Sequence, residues 1–388
     1  MVIGIDNMNM KKFFVCICLL CAAVSLYSFE WGGVLYNDTN FHNESGKFQL
    51  KQNDRLSFWL RVPFSQDENT YFLTEAYYDF SYEEKIVQSL DVNLFKLGMI
   101  VPLSFYTSLQ FDMGRLLYED ITQYILAQPL DGLSFNFFNE DFSCTAMVGY
   151  TGLINAHNVT YVYSPASYDE NSLYPTSPKF CVSSVRFALP QLFLHQDVQL
   201  EWDGIWDFSE NNYQRMYASL ALNGELFRNT YYILSSDFAF GLLNNTWEKG
   251  LANLTHFEFV YYPSFWDSSL TFSTLFATGK TSITRDFSSF NSLNIDYFGI
   301  HKLSNVLKNS LAFSFKPIAN LYFGLETSLF TKFTSKDNTS GFHGFEFGGN
   351  ILWQIVSDLS LANETYAYIK FSDSSLKFAT SIKVEFKF

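Results

Sequence analysis

The chain has 388 residues, with 43 Phe, 24 Tyr and 7 Trp, only 16% charged residues and a net charge of −14. The acidic balance argues against a nucleic-acid partner, because phosphate binding depends on clustered Lys and Arg. A charged fraction well below the usual value of about a quarter, with 19% aromatic residues, argues against an ordinary water-soluble domain.

At the N-terminus, Met10-Lys11-Lys12 precedes an apolar run from Phe13 to Leu26, and Ser28 stands before Phe29-Glu30-Trp31. This form predicts a secretory signal peptide over residues 1–28, with Met10 as an alternative start. A lipoprotein reading would use Cys21, but Leu20 is large for the position before it. Beyond this segment no apolar run approaches the roughly 20 residues of a membrane-spanning helix. Residues 29–388 read as a single domain, without repeats or a linker. Of five cysteines only Cys144 and Cys181 follow the leader. Two are too few for a disulfide framework, and they either pair or stay free.

From Phe29 onward strands alternate with turns, and residues of opposite character alternate along each strand. Leu50, Leu56, Phe58, Leu60, Val62 and Phe64 share one phase, with Arg55, Ser57 and Arg61 on the other. Val198, Leu200, Trp202, Trp206 and Phe208 alternate with Gln199, Glu201, Asp203 and Asp207. The same period appears around Phe272, Phe313 and Phe347, and Pro63, Pro102, Pro190, Pro263 and Pro317 fall at run ends, where a missing N–H breaks no ladder bond. Asn139–Asp141, Lys316–Asn320 and Ser357-Asp358 read as tight turns. Tyr118–Leu130, Gly152–Lys179, Gly279–Ser289 and Thr334–Gly341 read as long loops. About nineteen candidate strands can be counted. An even number is needed to close an antiparallel barrel of this kind, and the conflict falls between Gly279 and Leu311. The expected fold is therefore all-β, a transmembrane antiparallel up-and-down β-barrel of about 18 strands (16 as the alternative), with short periplasmic turns and longer extracellular loops. Either number leaves an aqueous lumen.

The last strand, Leu376 to Phe388, puts Phe378, Ile382, Val384, Phe386 and Phe388 on one face and Lys377, Ser381, Lys383, Glu385 and Lys387 on the other. An alternating final strand ending in Phe resembles the C-terminal signature of bacterial outer-membrane β-barrels. That resemblance implies that Phe388, Phe386, Val384 and Ile382 form the signal read by the barrel assembly machinery. It also implies residence in the outer membrane of a Gram-negative-type bacterium, against outer-membrane lipid. A second stretch, Gln110 to Phe137, resembles substrate-selective porins of the alginate-export and phosphate-selective type. Gly114-Arg115 and Asp131-Gly132 match that pattern, with Leu116 where it has Gln. The resemblance implies Arg115 and Asp131 as neighbours anchoring Tyr118–Pro129 as an inward-folded loop; the alternative is an ordinary long hairpin with a rim salt bridge.

Phase places Arg55, Arg61, Glu75, Asp79, Glu201, Asp203, Asp207, Glu258, Asp296, Glu326, Glu346, Lys383 and Glu385 opposite lipid-type residues, as lumen candidates. Rings of acidic side chains favour cations. The two early arginines facing Glu201, Asp203 and Asp207 would set up a transverse field, although paired charges in a polar interior are an equal alternative. None of the six histidines lies in a phospholipase-type His-x-Ser motif, and His256 with Glu258 suits a lumen hydrogen bond better than a catalytic pair. No cofactor or metal motif stands out. The expected function is a porin-like channel for passive diffusion of small hydrophilic solutes or ions. An adhesin or receptor using Gly152–Lys179 and Thr334–Gly341 is the alternative, and a barrel hydrolase is a third reading.

Overall fold

A computed structural model describes residues 29–44, 47–83, 85–151, 162, 180–207, 214–243, 246–247, 249–333 and 341–388. The signal peptide expected over residues 1–28 lies outside them, as do nearly all of the two loops assigned to adhesion. Strands follow in chain order as β1 (Glu30–Glu44), β2 (Lys47–Pro63), β3 (Thr70–Tyr82), β4 (Ile86–Pro102), β5 (Ser108–Glu119) and β6 (Ala127–Phe138). Next come β7 (Ser143–Tyr150), β8 (Phe180–Phe193), β9 (Gln196–Asp207), β10 (Gln214–Phe227), β11 (Thr230–Leu243) and the two-residue β12 (Thr246–Trp247). The remainder are β13 (Ala252–Tyr261), β14 (Ser269–Ala277), β15 (Val306–Ile318), β16 (Leu321–Lys332), β17 (Gly341–Val356), β18 (Leu359–Lys370) and β19 (Leu376–Lys387).

Each strand pairs antiparallel with the next, and β1 pairs with both β2 and β19, so the sheet closes on itself. β12 is a rung on the end of β11, which pairs directly with β13. Eighteen strands therefore make the wall, the even number that the turn-and-loop count required. The surplus candidate belongs to residues 278–305, between β14 and β15, which leave the wall and fold inward. Leu293 and Ile295 there are spaced as in a strand, but loop packing buries Ile295 and places Leu293, with Phe298, against the same cluster.

The strand phase decides which solvent each side chain meets. Leu56, Phe58, Leu200, Trp202, Phe272, Leu311, Phe347, Phe378, Ile382 and Phe386 are all exposed on the outside. Across β1–β19 the partners Tyr36↔Glu385, Asp38↔Lys383 and Asn40↔Ser381 face inward. A barrel has no edge on which unpaired N–H and C=O groups would be stranded in hydrocarbon. The apolar core is inside the barrel, where Ile125, Leu126, Phe287, Phe290, Ile295 and Leu303 pack under Phe180, Tyr217, Phe330 and Tyr368.

Both described ends lie on one rim, whose connections include the two-residue turns 194–195, 228–229, 319–320 and 357–358. The other rim carries the long connections 151–179 and 278–305. The separation of short and long connections is incomplete, because 45–46 and 83–85 are also short and lie on the loop rim. Among the described residues Cys144 and Cys181 are free thiols. Cys144 pairs in register with Phe187 and Cys181 with Tyr150, at opposite ends of the β7–β8 ladder.

Candidate channel and its constricting loops

Two loops fold into the lumen. The shorter, residues 120–126 between β5 and β6, is closed by one carboxylate. Asp120 Oδ1 accepts the backbone N–H groups of Ile125 (3.0 Å) and Leu126 (2.7 Å), and Oδ2 accepts that of Thr122 (2.9 Å). An Asp side chain that satisfies its own loop in this way lets the backbone turn back without orphaned donors. Ile125 and Leu126 are then buried rather than presented to solvent. The inward fold expected for Tyr118–Pro129 is thus observed over 120–126, while Tyr118 and Pro129 stay on the strand ladder.

The anchor of this loop includes Arg115. By strand phase Arg115 would lie with Met113 and Leu117, both more than half exposed on the outside, yet it is 3% exposed. The change comes at Gly114, which adopts φ +125° and whose Cβ, were one present, would lie 2.1 Å from the Phe95 carbonyl. A left-handed residue inside a strand re-aims the side chain that follows it. Arg115 then reaches Asp131 on β6 and Asp91 on β4, each at 3.5 Å.

Glu201 and Asp203 line no open pore, contrary to the sequence expectation. They are 4% and 0% exposed, because loop 120–126 lies over them. The Tyr118 hydroxyl sits 2.5 Å from Glu201, 2.9 Å from Asp203 and 2.6 Å from Ser184. The Ile121 N–H donates to Glu201 at 2.6 Å, and Arg186 pairs with Glu201 at 2.9 Å. These carboxylates are the seat of the loop. Arg55 and Arg61, the arginines expected to act against them, are each held by nearer acids, Arg55 by Asp79 and Arg61 by Glu30 and Glu68.

The longer loop, residues 278–305, crosses from β14 to the far wall. The Ile125 carbonyl accepts N–H groups from Phe290 and Asn291, and the Asn291 side chain accepts the Ala127 N–H and donates to the Gln128 side-chain oxygen. Tyr217 on β10 donates to the Ser288 carbonyl at 2.9 Å. Further along, Tyr297 stacks on Tyr366 at 4.3 Å, its hydroxyl donates to Asn40 on β1, and its N–H donates to Glu346 on β17. Burial pushes the Tyr297 hydroxyl up to about 12, so it remains a donor. Asp296, expected on a strand, is a buried loop residue. Burial alone would raise its carboxyl, but hydrogen bonds from His301 and from the N–H groups of Ile300 and His301 outweigh it and hold the carboxyl below its ordinary value.

What the loops leave free is an off-centre polar cavity of about 780 Å³ against β1–β4 and β19. Arg55 on β2 and Asp79 beside it on β3 form a two-point pair on its wall, at 2.6 and 2.9 Å, and the guanidinium lies 4.2 Å above the Tyr77 ring. Glu75 accepts from Asn93, Asp38 accepts from Ser381, and Lys51 pairs with Glu83. Of the sequence candidates, Arg55, Glu75, Asp79 and Glu385 line this cavity. Arg61 sits at the turn rim with Glu30 and Glu68. Asp207 ends β9, partly buried beside Phe180 in the ladder. Glu258 is partly exposed on β13, away from the cavity. Glu326 pairs with Lys308, and Lys383 with Glu364. His256 meets the edge of the Tyr124 ring instead of forming a pair with Glu258. Tyr36, Asp38, Asn53, Tyr77 and Asn93 also line the cavity; they share the inward phase, which is the signal in the sequence that marks them. Among the described residues no group of three or more His, Cys, Asp or Glu is arranged to hold a metal ion.

An outside that is apolar all round, a closed antiparallel wall and a polar lumen narrowed by infolded loops define a transmembrane β-barrel. Solved structures agree on the fold. The chain is similar to Pseudomonas aeruginosa OpdQ, with a TM-score of 0.63 and 11% identity, over 93% of this chain and 99% of that one. It is similar to the outer membrane protein OpdK of the same species, with a TM-score of 0.59 and 10% identity over 92% and 98% of the two chains. Acinetobacter baumannii OccAB4 gives a TM-score of 0.59 and 10% identity over 93% and 98%. At these identities the likeness is one of fold. No protein-family model and no curated protein matches the sequence.

Proposed function

We propose that the protein is a bacterial outer-membrane channel for passive diffusion of small hydrophilic solutes, with its loop rim outward. The observation that carries this reading is the polar cavity of about 780 Å³ left beside β1–β4 and β19 inside a wall whose outer face is apolar. A lumen packed shut, or an outside suited to water, would not serve a channel. The fold shared with an outer membrane protein supports the location. The exposed face of Ile382, Val384, Phe386 and Phe388 suits recognition by the barrel assembly machinery during insertion.

The cavity carries Asp38, Glu75, Asp79 and Glu385 against Lys51 and Arg55. Arg55 is matched by Asp79 and Lys51 by Glu83, so the surplus is acidic and the channel prefers cations. The purified protein in planar bilayers should pass steady single-channel current, with a reversal potential of cation-selective sign in a salt gradient. Absence of current sinks the channel, and a chloride-selective sign sinks the preference alone.

A further inference from the structure

Loop 278–305 is fastened to the wall by a pair of histidines. His301 is 1% exposed and stacks on Phe330 at 4.2 Å. Its Nδ1 lies 3.0 Å from Asp296 on the same loop, and its Nε2 lies 2.9 Å from Nδ1 of His343 on β17. The Tyr368 hydroxyl on β18 completes a triangle, 3.2 Å from His343 and 3.4 Å from His301.

We propose that His301 and His343 form an acid-operated latch that releases the Asp296–His301 segment of the pore loop from the β17–β18 wall. A hydrogen bond between two ring nitrogens needs one donor and one lone pair. A first added proton is accommodated, because an imidazolium at His301 has the Asp296 carboxylate on one side and the His343 lone pair on the other. A second proton sets N–H against N–H, on two like charges 2.9 Å apart. Once the first proton is bound, the latched loop takes up the second less readily than the released one, and by linkage a further fall in pH favours release.

The surrounding charges leave this sign unchanged. On the loop are Asp296 and Lys302, with Asp286 held by Ser304. The wall supplies Lys308 paired with Glu326, Lys332, Glu346 and Lys370 paired with Asp373. Tyr297, Tyr366 and Tyr368 are the remaining titratable groups. Lys302 and Lys332 line a cavity of about 240 Å³ beside His301, which gives water a way to the pair and adds positive charge against a second proton.

The consequence for conduction rests on the channel reading. Tyr297 is bonded to Asn40, the next inward-facing residue of β1 after Asp38, which lines the passage, so a freed segment swings into it and interrupts the current. The release is tested separately, by a spin label at Asn294→Cys, an exposed loop position, with Cys144 and Cys181 changed to Ser. Label mobility should be low near neutral pH and rise on acidification below the ordinary imidazole value of about 6.5. His343→Gln keeps a hydrogen-bonding side chain without the charge and should stay immobile throughout. In bilayers the closed fraction should rise several-fold in acid, and only in the parent. A parent label with equal mobility at both pH values overturns the latch, as does His343→Gln responding like the parent. If no current is seen at any pH the channel reading fails, while the label still decides the latch.

Discussion

Gly33 and Phe388 exchange both backbone hydrogen bonds, N–H of Gly33 to the Phe388 carbonyl at 2.9 Å and N–H of Phe388 to the Gly33 carbonyl at 3.0 Å. The last residue is thus the final rung of the seam that closes the cylinder. Its ring lies over Gly33, where a Cβ would come within 2.4 Å of the ring carbon Cζ.

That fit makes the seam sensitive on both sides. Gly33→Val forces the terminal ring off its place, and deletion of Phe388 removes two ladder bonds where β1 meets β19. Both variants should give several-fold less folded barrel in vesicles, scored by heat-dependent migration on gels. Parent-level yields from both would show that closure does not depend on this rung.

The two faces of the wall should respond oppositely to charge. Leu311 is 51% exposed near the middle of β15, so Leu311→Arg should destabilise the inserted barrel by about 2–4 kcal/mol. Ser57 lines the polar cavity, and Ser57→Arg should fold normally but narrow the passage and lower its conductance. Urea unfolding in lipid vesicles measures the first effect and bilayer current the second.

Arg55 is the cation that balances Asp79 inside the cavity. Arg55→Gln leaves that carboxylate unmatched, so the reversal potential should move further toward cation selectivity, with conductance equal or greater. A move toward anions would mean that the passage runs elsewhere in the lumen.

For Asp296 the sign follows from a carboxyl held below its ordinary value in the folded loop. Such a group contributes stability above the unfolded value of about 3.9, and loses it as pH falls through the lower folded value. The contribution is therefore complete near neutral pH. Asp296→Asn should loosen residues 296–301 already at neutrality, seen as faster amide hydrogen exchange there, and should flatten the loss of protection on acidification below about pH 4.

The wall was legible in the sequence because each strand meets two solvents, and a period of two records that contact residue by residue. The outward sets around Phe58, Leu200, Phe272 and Phe386, and the even strand number, needed nothing beyond local pattern and closure. The lumen plug was not legible in the same way. Phe290 and Ile295 are apolar residues of a connecting segment with no strand phase to place them, and the burial of Phe290 depends on partners such as Ile125 and Phe180, far away in the chain. Arg115 shows the same limit at one residue. Its phase points outward, and only the backbone of Gly114 turns it in.

What the sequence by itself determined is that the chain forms a closed cylinder with hydrocarbon outside and polar groups within, since alternation along a strand is a local property. Which acids face the passage and which lie beneath a loop was decided by tertiary structure alone. Glu201 and Glu75 share the same inward phase, yet one is covered by Tyr118 and Ile121 while the other lines the open cavity. Burial of that kind depends on where distant loops come to rest, and no periodicity within a strand encodes it.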